Sequence, residues 1–528
     1  MALIKGIKNE RPFYYFEEIS KIPRGSRNEE GIADYIVELA KAHSLDYYRD
    51  GANNVLVIKK SSKGKEAEDT VMLQAHTDMV CEKNNNKVHN FDTDPIELIQ
   101  EGNILRANDT TLGADDGFGV AIMLAILESD ITHPRLECLF TSSEEIGLVG
   151  AGAFDYTKVK AKQMINLDSA EENTVIIGCC GGVRTDITLP VTGESNTKTA
   201  YKLKIGGLCG GHSGEDIDKG RLNAHILMGI ALNLLRKETE FKISYISGGD
   251  KDNAIPRECE CVVVPNSDIA LEKAKDKITS EILNKAVATE DKGLTFNIEK
   301  TDTPSTFSMC DTEKILEILS VPNAVLEYRD KAPILPSISR NLARIRTEEN
   351  EIKIGFSSRA YSKAGLDFSC AQLEALVEKI GASYRHHERY PSWQDEPNSS
   401  LVLKWQDAYS EATGRKTEPT LIHAGLECGL ITSAVEGLSA ISVGANVHDL
   451  HTPRPWQQVW QRAWLRVWPR AWQQLLQRAW QQVWLRAWLL HQQRTRKLSA
   501  TQRQHRSSAS WYNSLKFLLF LGLRHSFI

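Results

Sequence analysis

Four apolar runs constrain what this chain can fold into: "TVMLQAHTD" (70–78), "LECLFTSSEE" (136–145), "QMINLDSAEE" (163–172) and "SAISVGANVHDLH" (439–451). Each is apolar enough for a strand buried on both faces, as strands of a covered sheet are. Between the first two lies "DDGFGVAIMLAILES", which reads as a helix, and strand–helix–strand order implies an α/β domain. Upstream, "YYFEEISKI" stops at Pro23-Arg24-Gly25, and "NEEGIADYIVELAKAHSL" has apolar residues at helical spacing. Every one of the four runs also ends in groups that bind cations: His76 and Asp78, Glu144 and Glu145, Asp168, and His448 and His451.

"TLGADDGFG" adds Asp115 and Asp116 where a glycine-rich turn enters the helix. Ligands of open α/β sheets collect at the carboxyl ends of strands, so these groups can converge. Taken singly they say little: an HxD step is commonly a surface pair, adjacent glutamates a solvated loop, and ADDG a capped turn. Repetition at four strand ends carries the argument. A period of two points His76 and Asp78 the same way. Glu144 and Glu145, side by side at the mouth of a buried strand, repel each other and lose hydration, so a positive charge is expected beside them. Imidazole and carboxylate ligands without thiolates suit zinc, cobalt or manganese. Two divalent cations would face three negative charges on Asp115, Glu145 and Asp168 with two neutral histidines, and a bridging hydroxide completes the balance. One of the paired glutamates is then left to move a proton.

With 528 residues the chain is too long for one ordinary core, so two or more domains are expected. Residues 187–388 change character: "AYKLKIGGL" and "ECECVVVP" alternate, and "DIALEKAKDKITSEILNKAV" is amphipathic. This predicts an α+β domain inserted into the first, which would comprise residues 1–186 and 389–454. The ten cysteines are scattered without a CxxC pair, which argues against both a disulfide framework and a thiolate zinc site. No apolar leader and no 18-residue apolar run are evident, so the expectation is a cytoplasmic protein.

"LQAHTDMVCEKN", "TLGADDGFGVA", "TSSEEIGLVGA", "INLDSAEE", "GGHSGEDIDKGRLNA", "NAIPRE", "HAGLECG" and "HDLHTPR" together resemble the Xaa-His dipeptidases, of the aminoacylase-like di-zinc peptidase superfamily. The resemblance runs from about residue 8 to Arg454. It implies an α/β catalytic domain with a mixed, mainly parallel sheet covered by helices, plus an inserted lid that also dimerises many relatives. It implies that His76 and Asp168 bind one zinc and Glu145 and His451 the other, with Asp115 bridging them and cobalt or manganese as possible substitutes. Asp78 would orient His76, and Glu144 would be the general base that activates the bridging water and then protonates the leaving amine. His212 of "GGHSG" would support the oxyanion, across the subunit interface in dimeric relatives. Asn253 and Arg359 would hold the substrate backbone and its carboxylate. The implied substrates are unblocked dipeptides such as β-alanyl-histidine. His423 and Glu427 of "HAGLECG" receive no role.

The resemblance stops where tryptophan recurs at 456, 460, 464, 468, 472, 480, 484 and 488. From Pro455 onward there are 12 Lys and Arg and no acids, so the net charge of −5 combines a body of −17 with a basic tail. A four-residue period is a twelve-base coding period, and residues 455–528 are read as the product of a shifted reading frame. At 3.6 residues per turn the tryptophans drift by about 40° per step and line no single face, which argues against membrane association. Specific nucleic-acid binding is not expected either. Two alternatives stand beside the dipeptidase: an N-acyl amino acid deacylase using the same metals, and an inactive product of a gene damaged at its 3′ end.

Overall fold

The computed structural model describes residues 11–102, 104–287, 289–329, 335–394 and 397–448, and the backbone of Trp456–Gln458. His451 and the remainder of the tail lie outside the described residues. Three of the four apolar runs form the strands Val71–His76, Leu136–Thr141 and Gln163–Asn166, and the fourth contributes Ser439–Ser442. They lie side by side and parallel at the centre of a mixed sheet, in the order Leu136–Thr141, Val71–His76, Gln163–Asn166, Ser439–Ser442. Antiparallel strands flank them, so the sheet is mixed with a parallel centre, as expected.

Alternation explains why these runs read as continuously apolar. Val71, Leu73, Ala75, Leu136, Cys138, Phe140 and Ile165 enter a core on one face, and Met72, Leu139 and Met164 enter a core on the other. The first face is covered by Arg11–Ile19, Glu30–Ala42, Ala114–Glu128 and Ser400–Thr413. The helix Ala114–Glu128 is buried nearly all round, with Val120, Met123, Leu124 and Leu127 almost inaccessible. Burying each such side chain contributes about 1.5–3 kcal/mol. The opposite face is covered by the short helices Val149–Ala153 and Glu427–Ala434.

A second, wholly antiparallel sheet lies between the two halves of the first in sequence. Its order is Thr295–Thr301, Ala200–Gly206, Cys259–Pro265, Phe241–Gly248, Pro336–Thr347, Glu351–Ala360, Gly181–Pro190 and Ser383–Tyr390. It therefore reaches slightly beyond both ends of the 187–388 stretch. Ala224–Arg236, Asp268–Leu283 and Met309–Leu319 pack on it around a core separate from those of the first sheet. Asn223 caps the first of these helices, its side chain accepting from the amides of His225 and Ile226. Beyond the fourth apolar run, Trp456–Gln458 pairs with Ile104–Ala107 and Val447–His448 in a small sheet. Among the described residues no helix is long and apolar enough to cross a membrane.

Candidate metal centre

Parallel pairing sets the C-terminal ends of the central strands along one edge. His76 pairs with Thr141, and Gln74 with Asn166, so the segments that follow all leave the sheet at the same level. The His76 Nε2 lies 3.0 Å from Asp115 Oδ1 and 3.6 Å from Asp168 Oδ1. Ligand atoms of His76, Asp115 and Asp168 lie within 4.8 Å of one another, and so do those of His76, Glu144 and Glu145. His76 thus stands between two three-residue sets.

Asp78 ties the sets together. Its Oδ1 lies 3.4 Å from His76 Nδ1 and accepts from the Glu144 amide at 2.9 Å. Its Oδ2 accepts from the Glu145 amide at 3.3 Å and from Ser26 Oγ at 2.7 Å. Burial disfavours the Asp78 carboxylate, but these hydrogen bonds and His76 reverse the effect and hold its pKa below the usual carboxylate value. The turn into Glu144 passes through Ser143 at φ +50, and Glu29 holds that left-handed residue by accepting from its amide and its hydroxyl.

Asp115 arrives from the other side, at the start of Ala114–Glu128, after Gly113 at φ +68. A side chain at Gly113 would meet Arg24 Nη2 and Met79 Sδ within 2.7 Å. The Asp115–Asp116 peptide is cis. Arg24, inside "PRGS", is buried and donates to the carbonyls of Thr77, Asp78 and Gly113. Burial lowers its pKa to about 10, with Asp78 opposing, so it remains a cation at neutral pH and joins the loops that carry His76 and Asp115.

The electrostatics state what the cluster lacks. Burial raises the Glu144 carboxyl well above its usual value, with Glu145 and Asp168 adding to the rise against His76. Burial and Asp115 do the same to Asp168, and burial and Asp168 to Asp116, whose Oδ2 is buried without a hydrogen-bond partner. Burial works against a protonated His76, yet Asp168, Asp115 and Asp78 outweigh it and raise the imidazole's pKa. Glu144, Asp116 and Asp168 are thus each driven toward the neutral form, and His76 toward the cation. Divalent cations would answer them all without a proton, and the donor set of imidazole and carboxylate fits such ions.

In the antiparallel domain, Arg359 is buried; its Nη2 lies 3.3 Å from His212 Nε2, and its Nη1 donates to Tyr390 Oη at 2.8 Å. The Ser213 amide donates to the Asn253 carbonyl at 2.8 Å, which places His212, Asn253 and Arg359 in one neighbourhood of a single chain. The loop approaches the first domain at Gly214, where an added Cβ would lie 2.1 Å from the His423 carbonyl. His423 Nε2 meets Ser339 Oγ at 2.8 Å, and burial followed by Arg359 lowers its pKa to about 3. His448, the competing candidate, is exposed, while the expected ligand His451 lies outside the described residues. Sequence reasoning missed Arg24, Ser26 and Glu29. Only the placement of "PRGSRNE" just ahead of the second helix could have flagged them.

Comparison with known proteins shows the family. The profile of Peptidase family M28 matches residues 54–201, and that of the peptidase dimerisation domain matches residues 203–290. The chain is 32% identical over 444 residues to the cytosol non-specific dipeptidase of Escherichia coli, covering 83% of this chain and 92% of that protein. The crystal structure of an aminoacylhistidine dipeptidase from Vibrio alginolyticus is 31% identical, with a TM-score of 0.74 over 89% of this chain and 96% of the other. Aminopeptidase PepT from Bacillus cereus, 16% identical with a TM-score of 0.53, covers 89% of this chain and 99% of its own and shares the fold.

Proposed function

Since the chain belongs to the aminoacyl-histidine dipeptidase family of metallopeptidases, we propose that it hydrolyses unblocked dipeptides of the Xaa-His type, β-alanyl-histidine among them, at a two-zinc centre. His76 and Asp168 would hold one ion and Glu145 and His451 the other, with Asp115 shared between them. When bound, such ions polarise the scissile carbonyl and bring a water toward ionisation at neutral pH, and cobalt or manganese could replace zinc. Glu144 takes a proton from the attacking water and returns it to the leaving amine. What carries this reading is the Glu144–Glu145 pair: both backbone amides are fixed by the one Asp78 carboxylate that also faces His76, so neighbouring carboxylates are held in different positions.

Burial raises the Glu144 carboxyl above its usual value, which suits a group that must both accept and donate the proton. Arg359 offers the substrate carboxylate a planar, buried cation. Asn253 steadies the substrate backbone, and His212, against Arg359, supports the developing oxyanion. The enzyme works in the cytoplasm as a homodimer through its antiparallel domain, which contains the dimerisation-domain match.

The test is release of free histidine from β-alanyl-histidine by the purified full chain with added zinc. Turnover that vanishes with a chelator supports the reading. Hydrolysis of N-acetyl amino acids with none of dipeptides would move the chain to the deacylases, and no turnover by folded, metal-loaded protein would favour a damaged gene product.

A further inference from the structure

"HAGLECG" places Glu427 where the site described above does not use it. Glu427 opens the helix Glu427–Ala434 under the catalytic sheet and is inaccessible to solvent. Its Oε2 accepts from Gln74 Nε2 at 2.5 Å and from Thr141 Oγ1 at 2.7 Å. Gln74 Nε2 also donates to Thr141 Oγ1 at 3.1 Å, and Gln74 Oε1 accepts from Asn166 Nδ2 at 2.7 Å. Asn166 Oδ1 in turn accepts from the Asp168 amide at 3.3 Å. Gln74, Thr141 and Asn166 are as inaccessible as Glu427.

This chain of bonds crosses three adjacent parallel strands on a face otherwise packed by Met72, Leu139 and Met164. Polar side chains in an apolar layer cost free energy unless every one is bonded, and apolar residues would pack there at no such cost. Their positions explain their presence. Gln74 stands two residues before His76, Asn166 two residues before Asp168, and Thr141 lies opposite His76 and three residues before Glu144. Parallel strands can slip relative to one another, and an error of about an ångström at a catalytic edge costs on the order of a hundredfold in rate.

We propose that Glu427 is a positioning residue: it holds Gln74 and Thr141, and through Gln74 and Asn166 it sets the backbone that presents Asp168 and His76 to the metals. The inference rests on the reading of Asp168 and His76 as metal ligands. Glu427 bonds Gln74 and Thr141 and is read as acting through them, not on the substrate or the ions. Its needed feature is an acceptor oxygen at the Oε2 position, not a charge. Burial raises the Glu427 carboxyl to about 7, consistent with a group that need not be ionised.

The experiment compares Glu427→Gln and Glu427→Leu in the full chain, with zinc affinity measured by competition against a chromophoric chelator and with kcat and KM at saturating zinc. Glu427→Gln keeps the acceptor and is expected within about twofold of the parent in all three. Glu427→Leu removes the acceptor that Gln74 and Thr141 share, leaving them the longer bonds of Gln74 Nε2 to Thr141 Oγ1 at 3.1 Å and of Thr141 Oγ1 to the Ala75 carbonyl at 3.3 Å, and is expected to weaken zinc binding by about 10–100-fold and to lower kcat with little change in KM. If Glu427→Leu does not fold, Gln74→Met cuts the same network from the strand Val71–His76 and carries the same expectation. Unchanged zinc affinity and kcat in folded Glu427→Leu or Gln74→Met overturns the proposal. Equal damage in Glu427→Gln and Glu427→Leu also overturns it, since the carboxylate itself would then be required. Asp168→Ala serves as the reference: if it binds zinc normally, the ligand assignment fails rather than the role of Glu427.

Discussion

Asp78 is the residue on which the centre turns. One carboxylate faces the His76 ring and accepts from two successive amides, so it fixes a ligand and the pair of glutamates together. In Asp78→Asn an amide NH2 would oppose a backbone donor or Ser26, leaving a buried bond unmade. We expect zinc affinity to fall by about 10–100-fold with far-UV circular dichroism unchanged; normal affinity in a chelator competition would remove Asp78 from this role. The period-two step "HTD" made His76 and Asp78 legible as neighbours in the sequence. The hydrogen bonds that Asp78 accepts from the Glu144 and Glu145 amides were not legible, because they join residues brought together only by the parallel register of two strands.

Among the elements, the central strands were the easiest to read, since burial on both faces removes polar residues from the run. The same apolarity hid Gln74, Thr141 and Asn166. A lone polar residue inside an apolar run has no period, and its meaning emerges only when three strands align their polar positions. The lid helix Ala224–Arg236 supplies a different element-scale test. His225 is wholly buried, with Nδ1 3.1 Å from the Leu342 carbonyl, and burial lowers its pKa to about 4. The unfolded chain protonates this ring near about 6.5, so between those values the unfolded state binds more protons. Its contribution is therefore fully present above pH 6.5 and is lost as pH falls toward 4, to a limit of about 3 kcal/mol. Urea unfolding of metal-free protein should lose less stability between pH 7 and pH 5 in His225→Gln than in the parent. An identical pH dependence in both would contradict this account.

At the scale of the whole molecule, a parallel-centred sheet delivers the acidic edge, and an antiparallel domain inserted between its halves brings Arg359 and His212 to a loop that touches the catalytic layer at His423. The inserted domain was legible as a change from continuous apolar runs to alternation. Composition could not show that Gly181–Pro190 already belongs to its sheet, because that strand opens with three buried residues and follows directly on a strand of the first sheet. The basic tail is a departure from the resemblance, yet Trp456–Gln458 pairs with Ile104–Ala107 and closes a small sheet. A chain ending at Gln458 keeps that pairing and is expected to hydrolyse β-alanyl-histidine within about twofold of the full chain, whereas one ending at Arg454 loses backbone hydrogen bonds of about 0.5–1.5 kcal/mol each and should melt earlier. Loss of turnover on removing residues 459–528 alone would make the tail part of the enzyme. The division of labour between Glu144 and Glu145 is tested most directly by Glu144→Gln, with metal content by elemental analysis measured beside turnover. The account predicts two zinc ions per chain and a fall in kcat of about 10²–10⁴; loss of a metal ion from that variant would contradict it and make Glu144 the ligand.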